Sequence, residues 1–145
     1  WQLKPPFSRP SGKTLDEFLN ETVDCTLRHW DDRKWREVAS TFDRALIAAG
    51  RIFGKQVFRK SVGYLQRSPI NRGLFEAQLI SLSRMRTDQL DLLMSRREHV
   101  ISALKEALRY GTLLSTSLLY ATGSADASNA RIEEITRIFS EVLDA

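Results

Sequence analysis

Cys25 and His29 stand four residues apart in a stretch of helical periodicity, the spacing that brings two side chains onto one helix face. A thiol beside an imidazole is the beginning of a nucleophile and its base, but that chemistry needs a third group to orient the base, and none is evident. Cys25 flanks the apolar stripe of its stretch, where a small buried or half-buried thiol is the commoner outcome. The reading is therefore that no residue here is catalytic. His29 and His99 are the only histidines, with no His-x-x-x-His and no Cys-x-x-Cys, so no metal-ligand set is expected. The seven glycines are scattered, and neither G-x-x-x-x-G-K-[ST] nor G-x-G-x-x-G occurs, so no cofactor is expected in this chain.

Two further patterns bear on anions. The stretch "ATGSADAS", Ala121 to Ser128, is small, polar and precedes a helix, so its amides could hold an anion. A plain connecting loop in which Ser124 or Ser128 caps the last helix is the better-supported reading. Charge distribution speaks more strongly. From Arg44 to Phe75 there is no acidic residue, while Arg44, Arg51, Lys55, Arg59, Lys60, Arg67 and Arg72 supply seven positive charges against a chain net of +4, so the remainder is net negative. With Phe58 and Tyr64 interleaved, Arg51, Lys55, Arg59, Lys60, Arg67 and Arg72 are the candidate nucleic-acid contacts, cations releasing counterions and rings offering stacking surface. The competing expectation is a solvated basic face that pairs with Glu133, Glu134, Glu141 and Asp144 of the last helix.

These residues must be held by something, and 145 residues at 42% hydrophobic are enough for one domain with a real core. A sequence pI near 9.5 permits a polyanionic partner without requiring one. A single cysteine forms no internal disulfide, and no run of about 18 apolar residues is present, so a soluble, cytoplasmic protein with no membrane partner is expected. The opening "WQLKPPFSRPSGK" has no signal-like apolar core and starts at Trp1 rather than methionine, so a piece of something longer is expected. Pro5, Pro6 and Pro10 make residues 1–13 an extended arm or linker, with a helical domain over 14–145.

The periodicity is helical almost throughout, which predicts an all-α fold, a single bundle of about six helices. "TLDE" reads as a capping box opening a helix with Leu15, Phe18, Leu19, Val23, Leu27 and Trp30 on its apolar face. Asp31 or Asp32 caps a longer helix carrying Trp35, Val38, Ala39, Phe42, Ala45, Leu46, Ala49, Ile52 and Phe53, ended by Gly54. Residues 55–70 read mostly as loop, held down by Val57, Phe58, Tyr64 and Leu65. In "SPINRGLFEAQLISLSR", Pro69 biases Ser68 away from helix and Asn71 caps the next one, with Leu74, Phe75, Leu79 and Leu82 on its buried face and Glu76 in its first turn. Thr87 caps a separate short turn into Leu90, Leu93 and Met94; then come Val100, Ile101, Leu104 and Leu108, a stop or kink at Gly111, and a last helix with Ile132, Ile135, Phe139, Val142 and Leu143.

The order "TLDEFLN", "TFDRALIAAGRIFGKQVFRK", "INRGLFEAQLISLSRM" and "ATGSADASNARIEEI" resembles the helical C-terminal part of the ParB-like domain family of GmrSD-type restriction and phage-defence proteins. The likeness covers most of Thr14 to Ala145, with a Phe-Gly-x-x-x-Phe-Arg unit at Phe53 to Arg59 and an Ile-Asn-x-x-Leu-Phe-Glu unit at Ile70 to Glu76. In that family an N-terminal ParB-like domain carries an Asp-Gly-Gln-Gln-Arg type motif, and many members add an HNH nuclease. Neither motif is in this chain, so the resemblance implies a non-catalytic helical module of a prokaryotic restriction or defence protein. Its implied partners are the adjacent ParB-like NTPase or nuclease region of its parent protein, and a second copy if it self-associates. A stand-alone nucleic-acid-binding domain using Arg44 to Arg72, with DNA as partner, is the alternative.

Overall fold

The computed structural model describes residues 14–120 and 123–145, so the expected arm over residues 1–13 lies outside the described residues. Each helix start has a local cause. Thr14 and Glu17 form the reciprocal capping box ahead of α1 (Leu15–Cys25), with the Thr14 amide donating to Glu17 Oε2 at 2.7 Å. Asp31 caps α2 (Asp32–Phe53), Asn71 caps α3 (Arg72–Ser83), Thr112 caps α6 (Leu113–Ser117) and Ser124 caps α7 (Ala125–Asp144), each accepting a first-turn amide. For α4 (Thr87–Ser95) the cap differs from the expected Thr87: Gln89 reaches back to accept the Arg86 amide at 3.0 Å. The remaining helix, α5, spans Arg97–Ala107. The result is an all-α bundle; among the described residues there is no strand, only an isolated bridge between Arg59 and Ile70.

Helix α3 lies at the centre, packed between α2 and α7, while α7 also touches α4, α5 and α6. The contact surface of α2 is built from Ala45, Ala48 and Ala49, small side chains that let the helices approach closely, together with the bulkier Ile52. Facing elements contribute Leu74, Ala77 and Leu82 from α3, Leu93 from α4, Leu104 from α5, and Ile132, Ile135, Ile138 and Phe139 from α7, all buried. Ser81 and Thr136 hydroxyls meet at 2.9 Å, satisfying polar groups within the α3–α7 contact.

The segment between α2 and α3 corrects two expectations. Tyr64 and Leu65 are exposed, the Tyr64 ring meeting the Lys105 ammonium at 4.8 Å from its centroid; Val62 and Phe58 are the buried anchors. Gly54 at φ +55 ends α2, and Phe58 at φ +59 occupies a conformation that costs a non-glycine residue about 1–3 kcal/mol. Its ring is buried edge-on against Phe75, with centroids 4.8 Å apart, and its carbonyl accepts the Asn71 amide at 2.7 Å. Phe75 is correspondingly on the rim of the buried face and not within it. Ser61 and Ser68 exchange backbone and side-chain bonds across the loop, closing it without regular structure.

Helix α2 is covered over only part of its length. Its second half is core, but none of its residues before Ala45 is buried, and Trp35, Phe42 and Leu46 on the apolar stripe are exposed. Helix α1 packs extensively only on the short turn that follows it, leaving Leu19 and Val23 exposed.

Candidate functional site

The Cys25–His29 pair does not survive as a constellation. Helix α1 ends at Cys25, and Leu27–His29 forms a separate 3-10 turn, so the single helix face that would align thiol and imidazole is absent. Cys25 is exposed, not the buried or half-buried thiol expected. Among the described residues no group of three or more His, Cys, Asp or Glu side chains could hold a metal ion, and no helix is long and apolar enough to cross a membrane.

The basic segment divides into two sets. Arg59 donates through Nη1 to the Ser68 carbonyl, and Lys60 donates to the Leu118 carbonyl at 3.3 Å, so both are committed to holding the fold. Arg44, Arg51, Lys55, Arg67 and Arg72 are exposed, and among the described residues none of them is ion-paired. Of the acidic residues expected to neutralise them, Glu134 and Glu141 are engaged elsewhere. Arg137 on α7 grips Glu134 through two bonds, at 2.6 and 3.0 Å, and also binds Glu141. The hydrogen bonds from Arg137 hold the Glu134 carboxyl below its ordinary range. The positive set is not one continuous patch, however. Arg44 and Arg51 line a groove of about 570 Å³ between α2 and α4, together with Arg36 but also Asp43 and Asp91.

The sequence reading missed a second polar centre. Arg131 is buried, with its side chain 3% exposed, where α7 meets α3 and α6. Nη1 donates to the Ser117 carbonyl at 2.9 Å, at the end of α6 where carbonyls lack helical partners. Nη2 donates to Glu76 Oε2 at 3.2 Å and to the Ser128 hydroxyl at 2.8 Å. Helix α3 begins at Arg72, which puts Glu76 beyond the first turn rather than within it; its charge serves Arg131 more than the helix end. Gly73 makes this approach feasible, since a Cβ there would lie 2.9 Å from Arg131 Cδ and from Leu118 Cδ2. Arg131, Glu76, Ser128, Arg72, Asn71 and Leu19 line a cavity of about 280 Å³. One signal could have found Arg131: it continues the row Ile135, Ile138 and Val142 by helical spacing, an arginine placed on an apolar face.

The third feature is apolar. Trp35 is 47% and Phe42, two turns on, 45% exposed, with Leu46 one turn beyond it along α2, and Trp30 stacks edge-on to Trp35 at 5.0 Å. Rings and branched side chains at this spacing are what a helix buries against a partner, and single exposed residues do not make such a row.

No protein-family model, no curated protein and no solved structure matches this chain.

Proposed function

We propose that this chain is a non-catalytic helical module of a prokaryotic DNA-restriction or phage-defence protein, working in the cytoplasm. It packs against the ParB-like NTPase or nuclease region of its parent and braces it or relays its state. The carrying observation is the unequal burial of α2: a helix whose second half is core and whose first half presents Trp35, Phe42 and Leu46 to solvent. Such a row buries roughly 25 cal/mol per Å² of apolar surface when covered, and nothing within the described chain covers it. The resemblance supplies the occupant, because in that family the ParB-like domain precedes the helical part, and the uncovered face lies on the first two helices. The separation of Cys25 from His29 onto different elements removes the main sequence argument for a nucleophile.

Sedimentation of the chain with and without its parent's ParB-like region tests this. A one-to-one complex is expected; a chain that ignores that region, or instead dimerises through the α2 face, contradicts it.

A second reading, nucleic-acid binding, is favoured by one observation: Arg44, Arg51, Lys55, Arg67 and Arg72 are exposed without carboxylate partners among the described residues. Arg59 and Lys60 each already spend a donor on a backbone carbonyl.

A further inference from the structure

The loop between α2 and α3 has features that the docking reading does not use. Gly63 at φ +74 makes its turn, and the next two residues are apolar and uncovered: Tyr64 is 58% exposed and Leu65 fully so. They do not stand out because the loop is loose. The Gln56 side-chain amide donates to the Tyr64 carbonyl at 2.8 Å, the Ser61 hydroxyl donates to Gln56 Oε1 at 2.7 Å, and the Ser68 amide donates to Ser61 Oγ at 2.9 Å. At the base of the loop Phe58 is buried and Arg59 is bonded to the Ser68 carbonyl. These bonds hold Tyr64 and Leu65 away from the core, so a partner that covers them meets a loop whose ordering cost is already met.

The charge around these two side chains is of one sign. They line an open recess of about 650 Å³ whose lining includes Arg67 and no carboxylate. Lys105 of α5 places its ammonium over the Tyr64 ring, 4.8 Å from the centroid. Lys55 precedes Gln56 at the foot of the loop, and among the described residues none of Lys55, Arg67 and Lys105 is ion-paired. Glu106, beside Lys105 in the sequence, is held by Arg109 at 2.8 Å. The groove between α2 and α4, by contrast, mixes its arginines with Asp43 and Asp91.

We infer that this loop binds a single strand of nucleic acid, with Tyr64 stacking on one base, Leu65 packing on the next, and Lys55, Arg67 and Lys105 facing the phosphates. The inference rests on the nucleic-acid reading and adds to it the strand state and the element that recognises it. A ring and an ammonium 4.8 Å apart offer what one nucleotide asks for, a π-face for its base and a positive charge for its phosphate. In a duplex the base faces are covered by their stacked neighbours, so an exposed ring gains only on unpaired bases. That chemistry is common to single-stranded DNA and RNA.

The test is fluorescence anisotropy of the whole chain against labelled oligothymidylate and oligouridylate of about 12 nucleotides, and against a DNA duplex of the same length, over a salt series. At least one single strand is expected to bind at least about ten-fold tighter than the duplex, and the tighter of the two names the sugar the site prefers. Tyr64→Ala weakens that binding about ten-fold at an unchanged salt slope, Tyr64→Phe retains it, and Arg67→Ala lowers the slope by about 0.7. Both positions are exposed, so the melting curves of the three variants stay with the wild type. Duplex binding as tight as single-strand binding, or undiminished affinity in Tyr64→Ala, would overturn the stacking site while the nucleic-acid reading stands. Binding of none of the three probes at low salt would end both.

Discussion

The Arg131 guanidinium lies 3.2 Å from the Glu76 carboxylate, 55 positions away in the chain, and this pair ties α7 to α3 at one edge of the core. The arginine is almost wholly buried while the glutamate retains 36% of its side-chain exposure, so the two partners do not contribute equally.

Replacing Arg131 with Met removes the donor to Ser117 and leaves Glu76 and Ser128 without their cation. The expected loss is about 3–5 kcal/mol in urea unfolding. Glu76→Gln keeps an acceptor and a partly solvated position, and costs roughly 1–3 kcal/mol. Equal and negligible losses for both would show that the pair is not a fastening.

Gly73 and Gly50 are both helical glycines in opposite surroundings. A Cβ at Gly73 meets Arg131 and Leu118 at 2.9 Å, so Gly73→Ala destabilises by about 1–3 kcal/mol despite the better helix propensity of alanine. Gly50 has nothing within 4 Å, and Gly50→Ala stabilises by up to about 1 kcal/mol. Thermal melts of the two variants should move in opposite directions; a stabilised Gly73→Ala contradicts the packing described.

The bonds from Arg137 lower the folded-state pKa of Glu134 below its unfolded value. A depressed carboxyl contributes stability above the unfolded pKa, and that contribution disappears as pH falls from about 4.5 through the folded pKa. Arg137 is about half exposed, so the contribution is about 0.2–1 kcal/mol. Glu134→Gln should lie below wild type at neutral pH and converge with it in acid. A constant gap across that range would locate the effect elsewhere.

The divided basic segment separates fold from binding. Arg59→Ala and Lys60→Ala remove bonds to the Ser68 and Leu118 carbonyls and should each lower stability by about 0.5–3 kcal/mol. Arg51→Ala and Arg67→Ala should leave the melting curve alone. If this surface contacts DNA, they lower affinity uniformly across sequences and reduce the salt slope by about 1 each. No binding at low salt would end the second reading.

The helix starts were legible because their causes are local: Thr14, Asp31, Asn71 and Ser124 each act within three residues of themselves. The extent of covering on α2 was not, since Trp35 and Ala49 carry the same periodic signal and only the position of α3 decides which is buried. Arg131 was overlooked for the same reason. Its partners Glu76 and Ser117 come from other helices, and a single arginine in "NARIEEI" reads as surface until they are placed around it. The loop over residues 55–70 is legible as irregular, with Phe58 buried and Val57 packed on the core as their hydrophobicity implies, but Val62 taking the place of Leu65 is not, because those two differ by the path of the backbone and not by hydrophobicity.

The central claim is that the first half of α2 is a docking face for the ParB-like region. Isothermal titration of that region with the chain carrying Trp35→Glu and Phe42→Glu tests it most directly. Both sites are half exposed here, so the isolated chain should stay folded, losing no more than the Trp30–Trp35 ring contact of about 0.5–1.5 kcal/mol, while affinity falls at least ten-fold, about 1.4 kcal/mol or more. Undiminished affinity in a folded double variant would contradict the claim.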